Sequence, residues 1–414
     1  MLRGRLFSSR EAMEIVMIDP ATNEPKPPPL LTGRFGLLLA VQLSYGFVFS
    51  AFLLLPKYLA TAHGANADVI GRLSGAALFA AVAAVPLTSW LLSRVSRGGL
   101  IVVGSILGGT ASFGFTFLHT VGPAMLALRL VQGVAFVLVF NASGTLVTDM
   151  VPKERLGQAL GIWGLAMLVT NAIAPGLLEP VADQSGWDPV FYVAGGAGLV
   201  SATIGVVVTA LGNPPEPPQR EVGAKVFDSR RLTLFGVTAL MGAGLGTMFT
   251  FVQPYALELG IGRVSGFFVG YTVAAIGARV GLGGLADRFG RARVSMIALG
   301  LYAASVFVTA WLSQESLAVV GAGIGLSHGI GYPALNAIAV EDTSSRQRGA
   351  VMAYYNGAFN VGFAVSVTGF GELARAVGYP PVFLLAGGLV LVGAALLGRL
   401  PVRTLHPSVE LDHS

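Results

Sequence analysis

Arg129, Arg279 and His328 are the ionisable residues that fall deep inside long apolar runs of this sequence. A charge among apolar groups is costly unless something binds it, so each is a candidate for holding a substrate or moving a proton. Arg129 has Gln132 on the neighbouring helical face. The pair reads either as the wall of a polar cavity or as an arginine snorkelling to an interface. His328, Tyr332 and Asn336 are spaced four and four, which places them on one helical stripe. Lipid-facing positions would not carry that series, although a hydrogen bond from His328 to a neighbouring helix is an alternative reading. Gly321, Gly325 and Gly329 form a second row, suited to close helix packing. Arg279 precedes Asp287 by eight residues, near one helical face, so a charge network supporting the loop and direct substrate contact are both open. Other polar groups in apolar runs are Gln42 and Tyr45, Gln253 and Tyr255, and Tyr355, Asn356 and Asn360.

If a proton is moved, elimination singles out His328. Arginine does not release a proton at useful pH, and no carboxylate lies near the centre of an apolar run. The competing carriers are acids at the ends of runs, Asp149, Glu179 and Glu258.

These residues need elements that cross a membrane. Charged residues are 11% of the chain and hydrophobic residues 54%, where soluble domains average about 25% charged. A lipid-facing surface needs almost no charges. The net charge of +5 is too small and dispersed for nucleic acid. There is no cysteine, and the five histidines are scattered, so neither a thiolate site nor a clustered metal or acid–base site is expected: no metal, no cofactor and no enzyme activity. The first 34 residues are polar with four acids, unlike a cleaved signal peptide.

Apolar runs long enough to cross as helices occur twelve times, at 35–55, 70–92, 99–119, 123–147, 157–179, 189–211, 232–256, 264–286, 294–312, 317–340, 349–371 and 379–399. With the N-terminus inside, 20 basic residues fall on cytoplasmic connections and four (Lys57, Arg72, Arg263 and Arg375) outside. That asymmetry predicts a multi-pass protein of the cell (inner) membrane with both termini cytoplasmic. The longest polar connection, about 212–231, contains Asn213-Pro-Pro-Glu-Pro-Pro218 and reads as an extended linker. It divides the chain six plus six: a tail 1–34, a bundle 35–211, the linker, a bundle 232–400 and a tail 401–414.

The halves match at one offset. Gly157 matches Gly349, Gly186-Trp-Asp-Pro-Val-Phe191 matches Gly378-Tyr-Pro-Pro-Val-Phe383, and Ala194-Gly-Gly196 matches Ala386-Gly-Gly388, each 192 residues apart. Two like-oriented six-helix bundles imply a pseudo-twofold axis along the membrane normal with a cavity between them.

The loop Gly283-Gly-Leu-Ala-Asp-Arg-Phe-Gly-Arg-Ala-Arg293 resembles the signature loop of the major facilitator superfamily. Arg129-Leu-Val-Gln-Gly133 is similar to a motif of proton-linked members, and Asp149-Met-Val-Pro-Lys-Glu-Arg-Leu-Gly157 to the family's acid–proline–arginine–glycine turn, with a counterpart at Glu341 to Gly349. The resemblance covers essentially 32–400. It implies an all-α membrane protein of twelve transmembrane helices in two pseudo-symmetric six-helix bundles, working as a secondary active transporter. Cavity-lining positions carried over are Gln42, Tyr45, Arg129, Gln132, Gln253, His328, Tyr332 and Asn336, with His328 and Arg129 as proton-coupling candidates. Gating falls to Asp287, Arg288, Arg291, Arg279, Asp149 and Arg155. The first-half loop, Trp90-Leu-Leu-Ser-Arg-Val-Ser-Arg-Gly-Gly99, lacks the acid of the pattern. Leu55-Pro-Lys-Tyr-Leu59 and Ile70-Gly-Arg72 look like bacterial efflux-type permeases of the arabinose or drug exporter kind. Proton-coupled export of a small organic molecule by a monomer is the first implication. Proton symport of a small sugar or organic anion is the second, and a non-transporting receptor of the same fold the third.

Overall fold

The structure is a computed structural model that describes residues 32–151, 155–212, 227–341, 343 and 345–400. The tails, most of the 212–231 linker and the middle of both acid–proline–arginine–glycine turns lie outside the described residues. Among the described residues twelve long helices follow one another: α1 Gly33–His63, α2 Ala67–Leu92, α3 Arg97–Phe117, α4 Pro123–Met150, α5 Leu156–Ser185, α6 Asp188–Ala210, α7 Ser229–Glu258, α8 Ser265–Gly281, α9 Arg291–Trp311, α10 Gln314–Val340, α11 Ser345–Val377 and α12 Tyr379–Gly398. Nine of them, again among the described residues, are long and apolar enough to cross a membrane; the others are the short α8 and the more polar α10 and α11. Large apolar side chains such as Val273, Val280, Ile297 and Val319 lie open on the outside of the bundle. That pattern suits lipid, which solvates apolar surface and offers the backbone no hydrogen-bond partner.

Helices α1 and α5 of the first half run well past their expected apolar spans at the same end. α1 passes through a 3-10 turn at Phe52–Leu54, after which Pro56 opens a further helical stretch to His63. Proline is tolerated there because the first-turn N–H has no helical partner to lose. α5 continues through Pro175 and Pro180 to Ser185. Both helices carry polar side chains at or just beyond the end of the apolar run, Lys57 on α1 and Glu179 and Asp183 on α5, and there they meet.

The repeat is visible in the backbone. Gly186 and Gly378 both sit at φ +81, just before α6 and α12. A side chain is strained in that region, so glycine at both positions sets the same turn twice.

Helices α1–α6 pack mainly among themselves, as do α7–α12. The halves meet where α2 lies on α11 and α5 on α8. A Cβ at Gly71 would strike the Val367 carbonyl, and one at Gly371 would come within 2.7 Å of the Ala67 carbonyl. The glycines thus let α2 and α11 approach backbone to backbone. The α2–α11 glycine contacts and the meeting of Glu179 with the start of α8 lie toward the end of the bundle distal to the chain termini, while Arg279 lies beside Gly164 toward the other end. One buried apolar cluster crosses both halves at the distal end, from Leu54 and Leu59 to Phe251 and Phe268.

Candidate functional site

A cavity of about 260 Å³ lies between the halves. α1 contributes Tyr45, Phe49 and Phe52; α2 Ser74; α4 Arg129, Gln132 and Phe136; α5 Asn171. The second half contributes Phe249 and Thr250 from α7, Tyr271 from α8, His328 from α10, and Phe359 and Asn360 from α11. Most of this wall is carbon, and no Asp or Glu is on it.

Arg129 is carried into the wall by a close helix crossing. A Cβ at Gly133 would collide with the Ala77 carbonyl, so α4 lies directly on α2. Buried there, Arg129 donates from Nε to the Leu73 carbonyl at 3.1 Å and from Nη1 to Gln132 Oε1 at 2.6 Å. Its guanidinium carbon lies 5.5 Å from the centre of the Phe52 ring, a cation–π contact. No carboxylate pairs with it among the described residues. Gln132 Nε2 is buried without a hydrogen-bond partner.

On the facing half, the glycine row of α10 does what its spacing implies. A Cβ at Gly321 or Gly325 would collide with the carbonyls of Phe267 or Tyr271, and one at Gly329 would sit 2.8 Å from that of Ala275. α10 therefore rides on the backbone of α8, which brings His328 to Tyr271. Their Nδ1 and Oη are 2.7 Å apart, and Nε2 of His328 is buried without a partner. The ring also stacks on Phe359, centroids 5.7 Å apart.

Of the eight lining positions expected from the sequence, the structure brings together Tyr45, Arg129, Gln132 and His328. The other four lie off the wall. Gln42 is buried within the first half, a turn toward the chain termini from Tyr45. Gln253 donates from Nε2 to the Leu53 carbonyl at 2.7 Å and to the Phe249 carbonyl at 2.8 Å, so it ties α7 to α1 instead of facing the cavity. Tyr332 bonds Asn356 and packs beside His328, and Asn336 lies one turn further on with Oδ1 buried and unpartnered. A stripe at spacing four drifts around its helix and descends 6 Å per step, so one cavity takes one member of it.

The gating positions also separate. Asp149 pairs with Arg97 at 3.1 Å, both largely buried. The second half repeats this bridge as Arg291 with Glu341 at 3.5 Å. Arg97 and Arg291 each open the helix after the matching loop. The first-half loop thus finds its acid on the neighbouring turn. Asp287 is exposed and bonds Arg291, four residues on across the turn at Gly290, at 3.2 Å, and Arg288 is exposed. Arg279 does not join Asp287: its Nη1 lies beside Gly164 of α5 across the seam, with Nε buried and unpartnered. Arg155 is half-buried at the start of α5.

Sequence reading passed over Tyr271 and the cluster around Ser50, whose Oγ lies 2.8 Å from Asn171 Oδ1 and 3.0 Å from Thr170 Oγ1, within hydrogen-bond reach of both. A visible signal for Tyr271 was its place eight residues before Arg279, on the same face.

A family model described as Major Facilitator Superfamily matches residues 37–281 and 264–412. Human monocarboxylate transporter 11 is 30% identical over 287 residues, which is 64% of this chain and 59% of that protein. An uncharacterized MFS-type transporter of Methanocaldococcus jannaschii is 25% identical over 338 residues, 76% of this chain and 84% of that one. Among solved structures, a POT family transporter in complex with 5-aminolevulinic acid superposes with a TM-score of 0.74 at 12% identity, covering 88% of this chain and 95% of that one. The signature loop, the helices in two halves around a cavity, and a family match along nearly the whole described chain agree: this chain is a membrane transport protein that belongs to the Major Facilitator Superfamily.

Proposed function

We propose that the protein carries a small organic anion of the monocarboxylate class together with a proton, by alternating access, as a monomer in the cytoplasmic membrane with both termini cytoplasmic. The observation that carries this reading is Arg129, a buried guanidinium on a wall without a carboxylate. Of the five N–H donors of a guanidinium, the protein accepts two here. A buried charge without its counter-ion is costly, and an anionic substrate supplies one. The cavity volume of about 260 Å³ is at or below the ordinary range for drug-sized ligands. The relative named a monocarboxylate transporter supports the same class. His328, on the same wall, is the proton carrier in this scheme. An anion in the cavity favours its charged form, so proton and anion travel together.

The test is uptake of labelled short-chain monocarboxylates into proteoliposomes under an imposed pH gradient. Gradient-driven uptake should be competed by other monocarboxylates and not by neutral sugars. Arg129→Gln should lower kcat/KM about 10- to 100-fold, the range expected when a hydrogen-bonded charge contact of roughly 1.5–3 kcal/mol is lost. Competition by sugars alone, or an unchanged Arg129→Gln, would refute the anion reading. The largely apolar wall supports a second reading, export of an amphipathic organic molecule against protons. Under it, such compounds and not monocarboxylates would move, and in the direction opposite to the proton.

A further inference from the structure

At the end distal to the chain termini, one carboxylate ties the two halves together. Glu179 of α5 is fully buried. Its Oε1 accepts from Lys57 Nζ and from the Val264 N–H, both at 2.7 Å, and its Oε2 accepts from the Ser265 N–H at 2.7 Å. Val264 is the N-cap of α8 and Ser265 its first residue. The first half therefore lends a side chain to cap a helix of the second. Helix starts leave N–H groups unsatisfied and carry partial positive charge, so a carboxylate there answers both. Lys57 completes the knot, donating also to Asp183 at 2.8 Å and to the Gly262 carbonyl of the second half at 2.8 Å.

We propose that Glu179 is the latch of the distal gate: it holds α8 against α1 and α5 while the cavity is closed to that side, and must release α8 for the cavity to open there. An apolar contact of similar size would cost free energy to expose to water. This knot regains hydration for each charge when it opens, so the burial cost it gives back offsets much of the lost attraction. It is specific in register yet reversible, as an element with two arrangements must be. Glu179 lies on the proline-interrupted α5, next to Pro180, and Asp183 keeps Lys57 paired if Glu179 withdraws. The inference rests on alternating access and not on which substrate is carried.

The chain has no cysteine, so one introduced thiol reports alone. Ser74→Cys places it on the cavity wall with little change in shape. Labelling by a membrane-impermeant maleimide, applied from each face in turn, then reads which side the cavity opens to, without any substrate. Glu179→Gln sets an NH2 donor against the N–H groups of α8 and removes the charge facing Lys57. Labelling from the distal face should rise about tenfold, the population shift expected for losing a charge-assisted hydrogen bond, and labelling from the terminal face should fall. Glu179→Asp keeps the charge but is one methylene too short to reach α8, and should give an intermediate rate. Unchanged labelling in an inserted Glu179→Gln protein, or in Glu179→Asp should Glu179→Gln not insert, would overturn the latch. Because the readout is independent of transport, failure of the anion reading leaves it standing.

Discussion

His328 is held at one nitrogen only. Nδ1 meets Tyr271, while Nε2 is buried on the cavity wall with nothing bonded to it. An imidazole is neutral or charged within the ordinary pH range of cells, and a guanidinium is not. With no carboxylate on the wall, His328→Gln separates proton coupling from substrate binding. In reconstituted protein, pH-gradient-driven flux should disappear while substrate exchange at equal pH survives. Persistence of gradient-driven flux would make His328 a packing residue and pass the proton to an acid at a helix end. What the sequence lacked at this scale was depth. Tyr332 and Asn336 share a stripe with His328, but neither touches the cavity.

At the scale of the element, the site depends on how closely helices approach. α10 has Gly321, Gly325 and Gly329 against the backbone of α8, and α4 has Gly133 where α2 passes. Gly325→Ala would force a methyl into the Tyr271 carbonyl, push α8 from α10 and draw Tyr271 away from His328. Overpacking of this kind costs about 1–3 kcal/mol, so a clear fall in the thermal midpoint of the purified protein is expected, with reduced transport in the surviving fraction. Gly277→Ala on α8, where a Cβ meets nothing within 4 Å, should melt at or slightly above the parent temperature, because alanine restricts the unfolded chain more. Equal loss in both would show that glycine acts here through the backbone and not through contact. The small-residue row was legible from sequence as a packing surface. Its partner helix was not, since glycines do not state what lies opposite them.

The whole molecule repeats its ion pairs as it repeats its turns. Arg97–Asp149 and Arg291–Glu341 tie corresponding loops to corresponding helix ends at the terminal end, while the Lys57–Glu179 pair of the first half bonds the backbone of Gly262, Val264 and Ser265 in the second half at the distal end. Orientation in the membrane remains a prediction of the basic residues. Reporter domains fused at Gly223, in the linker outside the described residues, and after Ser414 should both read cytoplasmic. A signal from the opposite side at either position would reverse the assignment of the two gates.

The sequence by itself pointed to an all-helical membrane protein, to the repeat at 192 residues and to the family. These follow from local quantities: runs of apolar side chains, prolines and glycines at fixed places, and short motifs whose residues are neighbours in the chain. Only the tertiary structure decided which polar residues share a cavity. Arg129 and His328 are brought to one wall by four helices whose crossings are set by glycines. Glu179 makes the same point most plainly. As a residue it stands at the end of an apolar run before a proline, with nothing nearby in the chain to mark it. Its partners lie 122, 85 and 86 residues away, in α1 and at the start of α8. A charge buried among apolar helices is tolerable only when all its bonds are met, and those bonds exist only once the two halves have closed on one another.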